Sequence, residues 1–325
     1  MTEYLLGKRE QIAMCEEATW AALGAKTMAN DGFQVGKNVT ITPDFSKNWQ
    51  EILTAGVDSR DIEDMEVGPE SYRFTLTFNP THWKILRYCA HGTVDDVDET
   101  GWYSHTFVAT DVVKSFTLEW AKRADTTDHV ITLTGCIVTN LAISFAKGLG
   151  ATEGFVTVVA ECLAKSAVAG ASTTTVSAIP STEHVYQFRN AKLTYAGGEV
   201  TEVNNGELTI DNGIDEMDCR YCNSTLDQAI GEPIPKVRRY TARFNINQQG
   251  DTYHDAWEAQ VVVPSTNTLE IIRDTHDNVT FTFTDMYIQS ATSPTNIEGI
   301  TNVDIVATIA AVAIEAEDDH TDYND

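Results

Sequence analysis

The chain has 325 residues and a formal net charge of −26, from 48 Asp and Glu against 22 Lys and Arg. It has none of the lysine and arginine clusters that displace counterions from phosphates, which argues against sequence-independent nucleic-acid binding. No run of about 18 apolar residues occurs, so we expect no membrane span. The N-terminal stretch is charged where an export signal needs an apolar segment, so we expect assembly inside a cell.

The acidity itself has two interpretations that can coexist. One is solubility, including adaptation to a salty cytoplasm. The other is a surface that repels DNA or lines a path for it.

The N-terminal residues combine the features of a helix and of an extended arm. Ile12, Trp20 and Leu23 can share one stripe of a helix, which Gly24 would end. We expect an N-terminal arm over residues 1–29.

A strand, a short helix and a second strand follow in the first half of the chain. Apolar and polar residues alternate over 72–78, which predicts a strand with one buried face. Residues 81–92 predict a short helix that Gly92 ends. Residues 95–100, DDVDET, predict a solvated loop, since an EF-hand calcium site would need a central Gly and a distal Glu. The alternation resumes over 115–120, SFTLEW.

Residues 130–145 predict an unusually long strand. At about 3.4 Å per residue it could span about 50 Å, against about 20 Å for a usual strand. Gly135 predicts a bulge within it. Its odd positions form an apolar face: Ile131, Leu133, Ile137, Leu141, Ile143 and Phe145. With the return strand over 155–165 it makes a long hairpin, whose open edges favour pairing with another chain.

Three segments of the chain recur in the same order, which indicates a duplicated domain. The pairs are 117–134 with 268–284, 72–79 with 238–245, and 39–41 with 208–210. The Thr- and Ser-rich stretch between the copies predicts an extended linker. The predicted units are an arm (1–29), a first module (30–165), a linker (166–186), a second module (187–317) and an acidic tail (318–325), which we expect to be mobile.

No motif for catalysis or cofactor binding is present. Phosphate-binding loops, the zinc-protease HExxH and the nucleophile elbow are all missing, so we expect no enzyme activity and no cofactor. Cys219 and Cys222 form a single CxxC without the second pair of ligands that zinc needs. His82, Cys89 and His91 cluster on the short helix, where packing explains them better than a metal does.

The order of elements resembles the tail tube (major tail) proteins of long-tailed bacteriophages and archaeal viruses. The resemblance rests on the N-terminal YLLGKRE, on SFTLEW, and on the long strand LTGCIVTNLAISF with its amphipathic return strand. Residues 116–165 carry most of it. It implies an all-β fold with short helices, in which two tandem β-sandwich modules contribute long hairpins to an intersubunit β-barrel.

The function implied by the resemblance is a structural virion protein that forms the tail tube, a stacked-ring channel for delivery of viral DNA. The implied partners are further copies in a trimeric ring with pseudo-six-fold symmetry (alternatively a hexamer), other tail proteins, and DNA that passes without specific binding. The implied location is the virion tail, after assembly in the host cytoplasm. The candidate hairpin residues between subunits are Ile131, Leu133, Ile137, Leu141, Ile143, Val156, Val158, Phe281, Phe283 and Ile305.

Three other classes share some of these features. They are an acidic surface or S-layer-like β-sandwich, a capsid-decorating protein, and a jelly-roll sugar enzyme. The first should carry an export signal, and the last needs a carboxylate pair in a cleft, which the sequence does not single out. Negative-stain images of the purified protein would separate tubes or rings from monomers or sheets.

Overall fold

The computed structural model describes residues 10–52, 64–89, 93–108, 110–122, 128–148, 154–170, 172–220, 230–247, 252–260, 262–263, 267–293, 301–320 and 323. Within them the first half of the chain contains β1 (Glu10–Glu16), β2 (Lys37–Ile52), β3 (Asp64–Asn79), β4 (Thr93–Glu99), β5 (Trp102–Val108), β6 (Phe116–Lys122), β7 (His129–Ala146), β8 (Thr157–Ala164) and β9 (Ser166–Gly170). The second half contains β10 (Ala191–Tyr195), β11 (Gly198–Val200), β12 (Val203–Asp211), β13 (Arg239–Asn247), β14 (Asn267–Asp274), β15 (Asp277–Thr292) and β16 (Asn302–Asp318). Three short helices accompany them: α1 (Met28–Asp31), α2 (Leu86–Cys89) and α3 (Thr252–Glu258). The all-β prediction with few short helices is confirmed.

Eight strands pair into one continuous antiparallel sheet that runs through both halves. Their order is β2–β3–β8–β7–β12–β13–β16–β15. The two halves meet where β7 pairs with β12, from Asn140 opposite Asp211 to Ala146 opposite Asn205. We call this set of eight strands the main sheet.

Shorter strands form a second layer on each half. In the first half, β1 pairs with β6, β6 with the start of β7, and the start of β7 with β9. In the second half, β11, β10, β14 and the start of β15 follow one another, and β5 adds to the end of β16. Side chains from both layers join one buried core, which the alternating apolar residues predicted.

The long strand β7 changes partners at two bulges. Phe116 lies opposite Cys136 but Leu118 lies opposite Leu133, so β7 has one extra residue at Gly135, whose φ is +62°. A second extra residue, Thr139, separates the pairs that β7 makes with β8. The bulge predicted at Gly135 is confirmed.

The two bulges correct the predicted face of β7. An extra residue inverts the alternation of side chains, so Cys136 and Val138 enter the main core between the bulges. Ile137 therefore faces the other side of the sheet, where it packs with Leu163 and Cys219. Leu133, Leu141 and Ile143 keep the predicted inward orientation.

Four other sequence predictions differ from the structure. The helical stripe that Ile12, Trp20 and Leu23 could share within the predicted arm does not form, because residues 10–16 are β1, whose backbone completes the edge of β6. Residues 95–99 of the predicted loop belong to β4, which pairs with β5. The linker begins with β9, which pairs with β7. The tail is anchored at its described positions, since Asp318 and Tyr323 are buried.

Candidate assembly surfaces

The main sheet has one apolar and one polar face. Residues opposite each other on neighbouring strands share a face, so the pairings trace rows of side chains across the sheet. One row on the face away from the core contains no charged residue: Thr40, Thr77, Val159, Ala142, Thr209, Thr241, Thr308 and Tyr287. The main sheet therefore presents a row rich in threonine.

Charged residues flank this row on both sides. The acidic side chains are Asp44, Glu161, Glu207, Asp211 and Asp304, and the basic ones are Arg73, Arg239 and Arg243. Carboxylates outnumber guanidiniums among these described positions. The polar face is thus weakly acidic, which is much milder than the charge of the chain as a whole suggests.

The two ends of the main sheet are open. Among the described strands β2 pairs only with β3, and the second half of β15 pairs only with β16. On the β15 side, the Val263 amide donates to the Met286 carbonyl at 3.0 Å, and the Trp257 indole donates to the Gln289 carbonyl at 3.1 Å. Trp257 and Tyr287 are 41% and 42% exposed there. This end offers aromatic surface beside a strand edge that only these two hydrogen bonds, among those described, partly cover.

The hairpin of β2 and β3 extends past the rest of the main sheet. β8 covers β3 only from Tyr72 to Phe78, whereas β2 and β3 continue to pair as far as Ile52 opposite Asp64. An isolated two-stranded ribbon is marginally stable in water. We call this extension, residues 44–52 and 64–71, the ribbon.

A segment of the second half packs on the polar face at the base of the ribbon. Glu216 accepts hydrogen bonds from Arg73 Nε at 2.7 Å and from the Ser71 hydroxyl at 2.9 Å, and also pairs with Arg220. Burial opposes its charge, yet the bonds from the two guanidiniums and the hydroxyl hold the pKa of Glu216 below its usual value. This cluster ties the second half to β3.

The sequence profile of the phage tail tube protein family matches residues 7–316, which is nearly the whole chain. The chain belongs to the phage tail tube protein family. Members of this structural family assemble into the tube of the virion tail together with other tail proteins. A search of curated proteins finds no match.

The ten candidate hairpin residues of this tail tube protein lie mostly inside the chain itself. Eight belong to the main core: Leu133, Leu141, Ile143, Val156, Val158, Phe281, Phe283 and Ile305. Ile131 is partly buried against that core, and Ile137 lies under the segment that contains Cys219. Any contact that their strands make with another subunit must therefore use the backbone at the strand edges and the side chains on the other face of the strands.

The suspected metal residues of the tail tube protein have ordinary packing roles where they are described. His82 Nε2 is 2.8 Å from the Gln34 carbonyl, and Cys89 lies buried beside Asn212. Cys219 is buried, while Cys222 and His91 fall outside the described residues. Among the described residues no group of three or more His, Cys, Asp or Glu is placed to hold a metal ion. None of the described helices is long and apolar enough to cross a membrane.

Three buried charges that no sequence motif indicates hold the tail tube protein's N-terminal strand in place. Glu17 accepts hydrogen bonds from the Gly135 amide at 2.7 Å and from the Thr117 hydroxyl at 2.8 Å. It therefore gives the backbone amide at the bulge of β7 a hydrogen-bond partner. Arg87 donates to Glu16 at 2.7 Å and is 4% exposed. The only sequence signal for them is a charge that interrupts an apolar run.

Proposed function

We propose that three copies of this chain close into a ring whose bore is the polar face of the main sheet. The rings stack into a tube, and viral DNA passes through it without specific binding. The observation that carries the proposal is the pairing of β7 with β12, which joins the two halves of one chain edge to edge. The same kind of pairing between chains would close the ring.

The strand orders support a tandem duplication of modules 30–165 and 187–317. The first half runs β2–β3–β8–β7–β6–β1, and the second runs β12–β13–β16–β15–β14–β10. Their registers also correspond, since Asp44 lies opposite Arg73 in one and Asp211 lies opposite Arg239 in the other. Under this correspondence Ile41 matches Leu208. The sequence comparison instead matched Ile41 with Ile210, two positions further along the chain.

The two open ends of the main sheet are then counterparts of the junction inside the chain. The second half of β15 corresponds to β7, and β2 corresponds to β12. Transferring the internal register places Ser290 of one chain opposite Thr42 of the next. Pro43, the counterpart of Ile210, lacks an amide N–H, so this junction has one donor fewer and the open edge is less prone to pair wrongly before assembly.

The size of the resulting barrel suits a DNA channel. Three chains together supply 24 strands, eight from each. At a spacing of about 4.8 Å and a tilt of about 40°, such a barrel has a diameter of about 48 Å between backbones. That leaves a bore wider than a DNA duplex after the side chains are added. A hexamer of whole chains would double the strand number and the diameter.

The side chains of the polar face suit passage without binding. The threonine-rich row offers no fixed charge to phosphates, and the flanking rows carry more carboxylates than guanidiniums. A weakly acidic wall repels phosphates over a Debye length, about 10 Å at 0.1 M salt, and so prevents adhesion. The acidity of the chain therefore has a use beyond solubility.

The ribbon supports stacking of one ring on the next. It projects beyond the main sheet, and a lone two-stranded ribbon gains stability when another surface covers it. The exposed ion pair of Lys47 with Glu70, at 2.7 Å, adds little by itself. We assign the ribbon to the contact between rings.

A disulfide between Ser290→Cys and Thr42→Cys tests ring closure. Within one chain the two positions are seven strand spacings apart, about 34 Å, so the bond can form only between chains. We expect mild oxidation of assembled tubes to yield a covalent ladder that ends at three chains in denaturing, non-reducing electrophoresis. The five described cysteines are buried, and burial raises the pKa of the Cys15 thiol to about 11, so background reaction should be low.

The matched control pairs Ser290→Cys with Thr75→Cys. Thr75 lies opposite Thr42 on β3, in the same row but one strand further from the edge. That separation exceeds the reach of a disulfide, which needs Cα atoms within about 7 Å. A ladder that ends at six chains would favour the hexamer, and a ladder from the control pair would disprove the register.

A charge placed on the polar face tests its role as the bore wall. Tubes of Thr209→Lys should retain short duplex DNA at 0.1 M salt and release it at 1 M, where the Debye length falls to about 3 Å. Co-sedimentation of DNA with purified tubes measures this, with Thr209→Gln as the uncharged control. Equal retention by the original and the lysine tubes would place Thr209 outside the bore.

A further inference from the structure

The side chain of Tyr323 is seated between the two halves of the chain. The Tyr323 side chain is 0% exposed, and its ring stacks on His105 with centroids 3.8 Å apart. The Trp83 amide donates to the Tyr323 hydroxyl at 2.9 Å, and that hydroxyl donates to Asp318. The seat therefore joins the end of β16 to β5 and to the turn before α2.

A buried imidazole holds this seat together. His105 is 0% exposed; its Nδ1 is 2.5 Å from Asp96 Oδ1 and its Nε2 is 3.0 Å from Asp318 Oδ1. An ionised carboxylate can only accept, and a neutral imidazole has only one N–H, so both contacts are hydrogen bonds only when His105 is protonated. With both carboxylates ionised, the geometry therefore requires the imidazolium.

We propose that Asp318 and Tyr323 form a pH-dependent latch around His105, which stays closed while His105 is protonated and opens when His105 loses its proton. The latch does not depend on the proposed ring, because every contact in it lies within one chain.

The surrounding charges agree with this assignment. Burial opposes the charged form of His105, yet the hydrogen bonds to Asp318 and Asp96 raise its pKa above the usual value. Burial would likewise raise the pKa of Asp318, but the bond from His105 holds it below the usual value. On the other side of Tyr323, burial and then the neighbouring His320 lower the pKa of His82 to about 4, so His82 stays neutral while His105 titrates.

The direction of the pH effect follows from the raised pKa of His105. The stabilisation is complete below the pKa of an unfolded histidine, about 6.5, and is lost as the pH rises through the higher pKa of the folded state. Deprotonation leaves one of the two carboxylates facing the lone pair of a His105 ring nitrogen. This contact is most costly if the carboxylate is that of Asp318, which is buried. The latch therefore loosens towards alkaline pH.

The latch is also linked to the N-terminal strand. Arg87 donates to the Tyr323 carbonyl at 2.5 Å and to Glu16 of β1 at 2.7 Å. When Tyr323 leaves, Arg87 loses one of these partners and its surroundings open to water. Opening should therefore raise the mobility of β1 as well as that of the C-terminus.

Hydrogen exchange measured by mass spectrometry tests the latch on the full chain. The His320 amide donates to Asp318 at 2.9 Å. After correction for intrinsic rates, we expect this amide to be protected at pH 6 and to exchange about tenfold faster for each pH unit above the titration of His105. Peptides from β1 should follow with a smaller change. Protection that stays constant from pH 6 to pH 9 would overturn the proposal.

Two variants separate the latch from a general effect of pH. Asp96→Asn keeps an acceptor oxygen but removes one charge, so opening should shift to lower pH by about one unit or more. His276→Gln alters a histidine on the surface and should leave the profile unchanged. If His276→Gln moves the profile and Asp96→Asn does not, the proposal fails.

The ¹⁵N shifts of labelled His105 give an independent reading that needs no variant. They should show a doubly protonated ring at pH 6 and titrate together with the exchange. A neutral ring at pH 6 would overturn the assignment.

Discussion

Replacing Arg87 with methionine should lower the free energy of unfolding by about 3 kcal/mol, the lower end of the range for a broken buried ion pair. Methionine preserves the apolar stem but leaves Glu16 and the Tyr323 carbonyl without their shared donor. The lower end applies because Lys26, at 2.9 Å, still partners Glu16. Denaturant unfolding of the unassembled chain measures the change.

The matched control is Arg243→Met, which makes the same substitution on the exposed polar face. There we expect a change within about 0.5 kcal/mol. Similar losses for both variants would mean that the effect of Arg87 comes from the loss of any arginine rather than from the buried network. The network interpretation would then be wrong.

Gly206→Ala should destabilise the chain by about 2–3 kcal/mol, at the upper end of the range for overpacking. An added Cβ would lie 2.4 Å from the Phe145 ring and 2.8 Å from the Phe244 ring. Both rings are buried, so neither can move aside cheaply. Thermal and denaturant unfolding of the purified chain measure the loss.

Gly198→Ala is the control for the effect of removing a glycine. Its added Cβ would meet only the Tyr195 carbonyl, at an ordinary 3.6 Å. We expect it to be neutral within about 0.5 kcal/mol. If Gly206→Ala is equally neutral, the two phenylalanine rings can move aside at little cost. The close packing of β7 against β12 described here would then be wrong.

Gly206 also matters for the proposed ring because it lies at the junction of the two halves. Opposite Phe145, it is part of the β7–β12 pairing that serves as the template for ring closure. A variant that weakens this pairing should therefore reduce tube formation more than its loss of stability alone predicts. Electron microscopy at matched concentrations of folded protein would show this.

Much of the local structure could be predicted because it depends on alternation alone. Strands β3, β6 and β8 place their apolar residues inside, as a period of two requires. The length of β7 and the bulge at Gly135 were also visible in the sequence. These features need no knowledge of which strand lies beside which.

Elements stabilised by a distant partner were missed. The acidic residues 95–99 form a strand because β5, their hairpin partner, is itself held by the distant strand β16. Residues 10–16 form a strand because β6 offers an open edge. Such pairing uses backbone amides and carbonyls, which are the same at every residue apart from proline and so leave little trace in the sequence.

The sequence by itself determined the all-β class and the buried faces away from bulges. Only the tertiary structure decided that β7 pairs with β12, that Ile137 faces away from the main core, and that His105 lies between Asp96 and Asp318. The physical reason is how far apart along the chain the interacting groups lie. Alternation is a property of neighbouring residues, whereas a strand edge, a second bulge and a buried ion cluster depend on groups that come together only when the chain has folded.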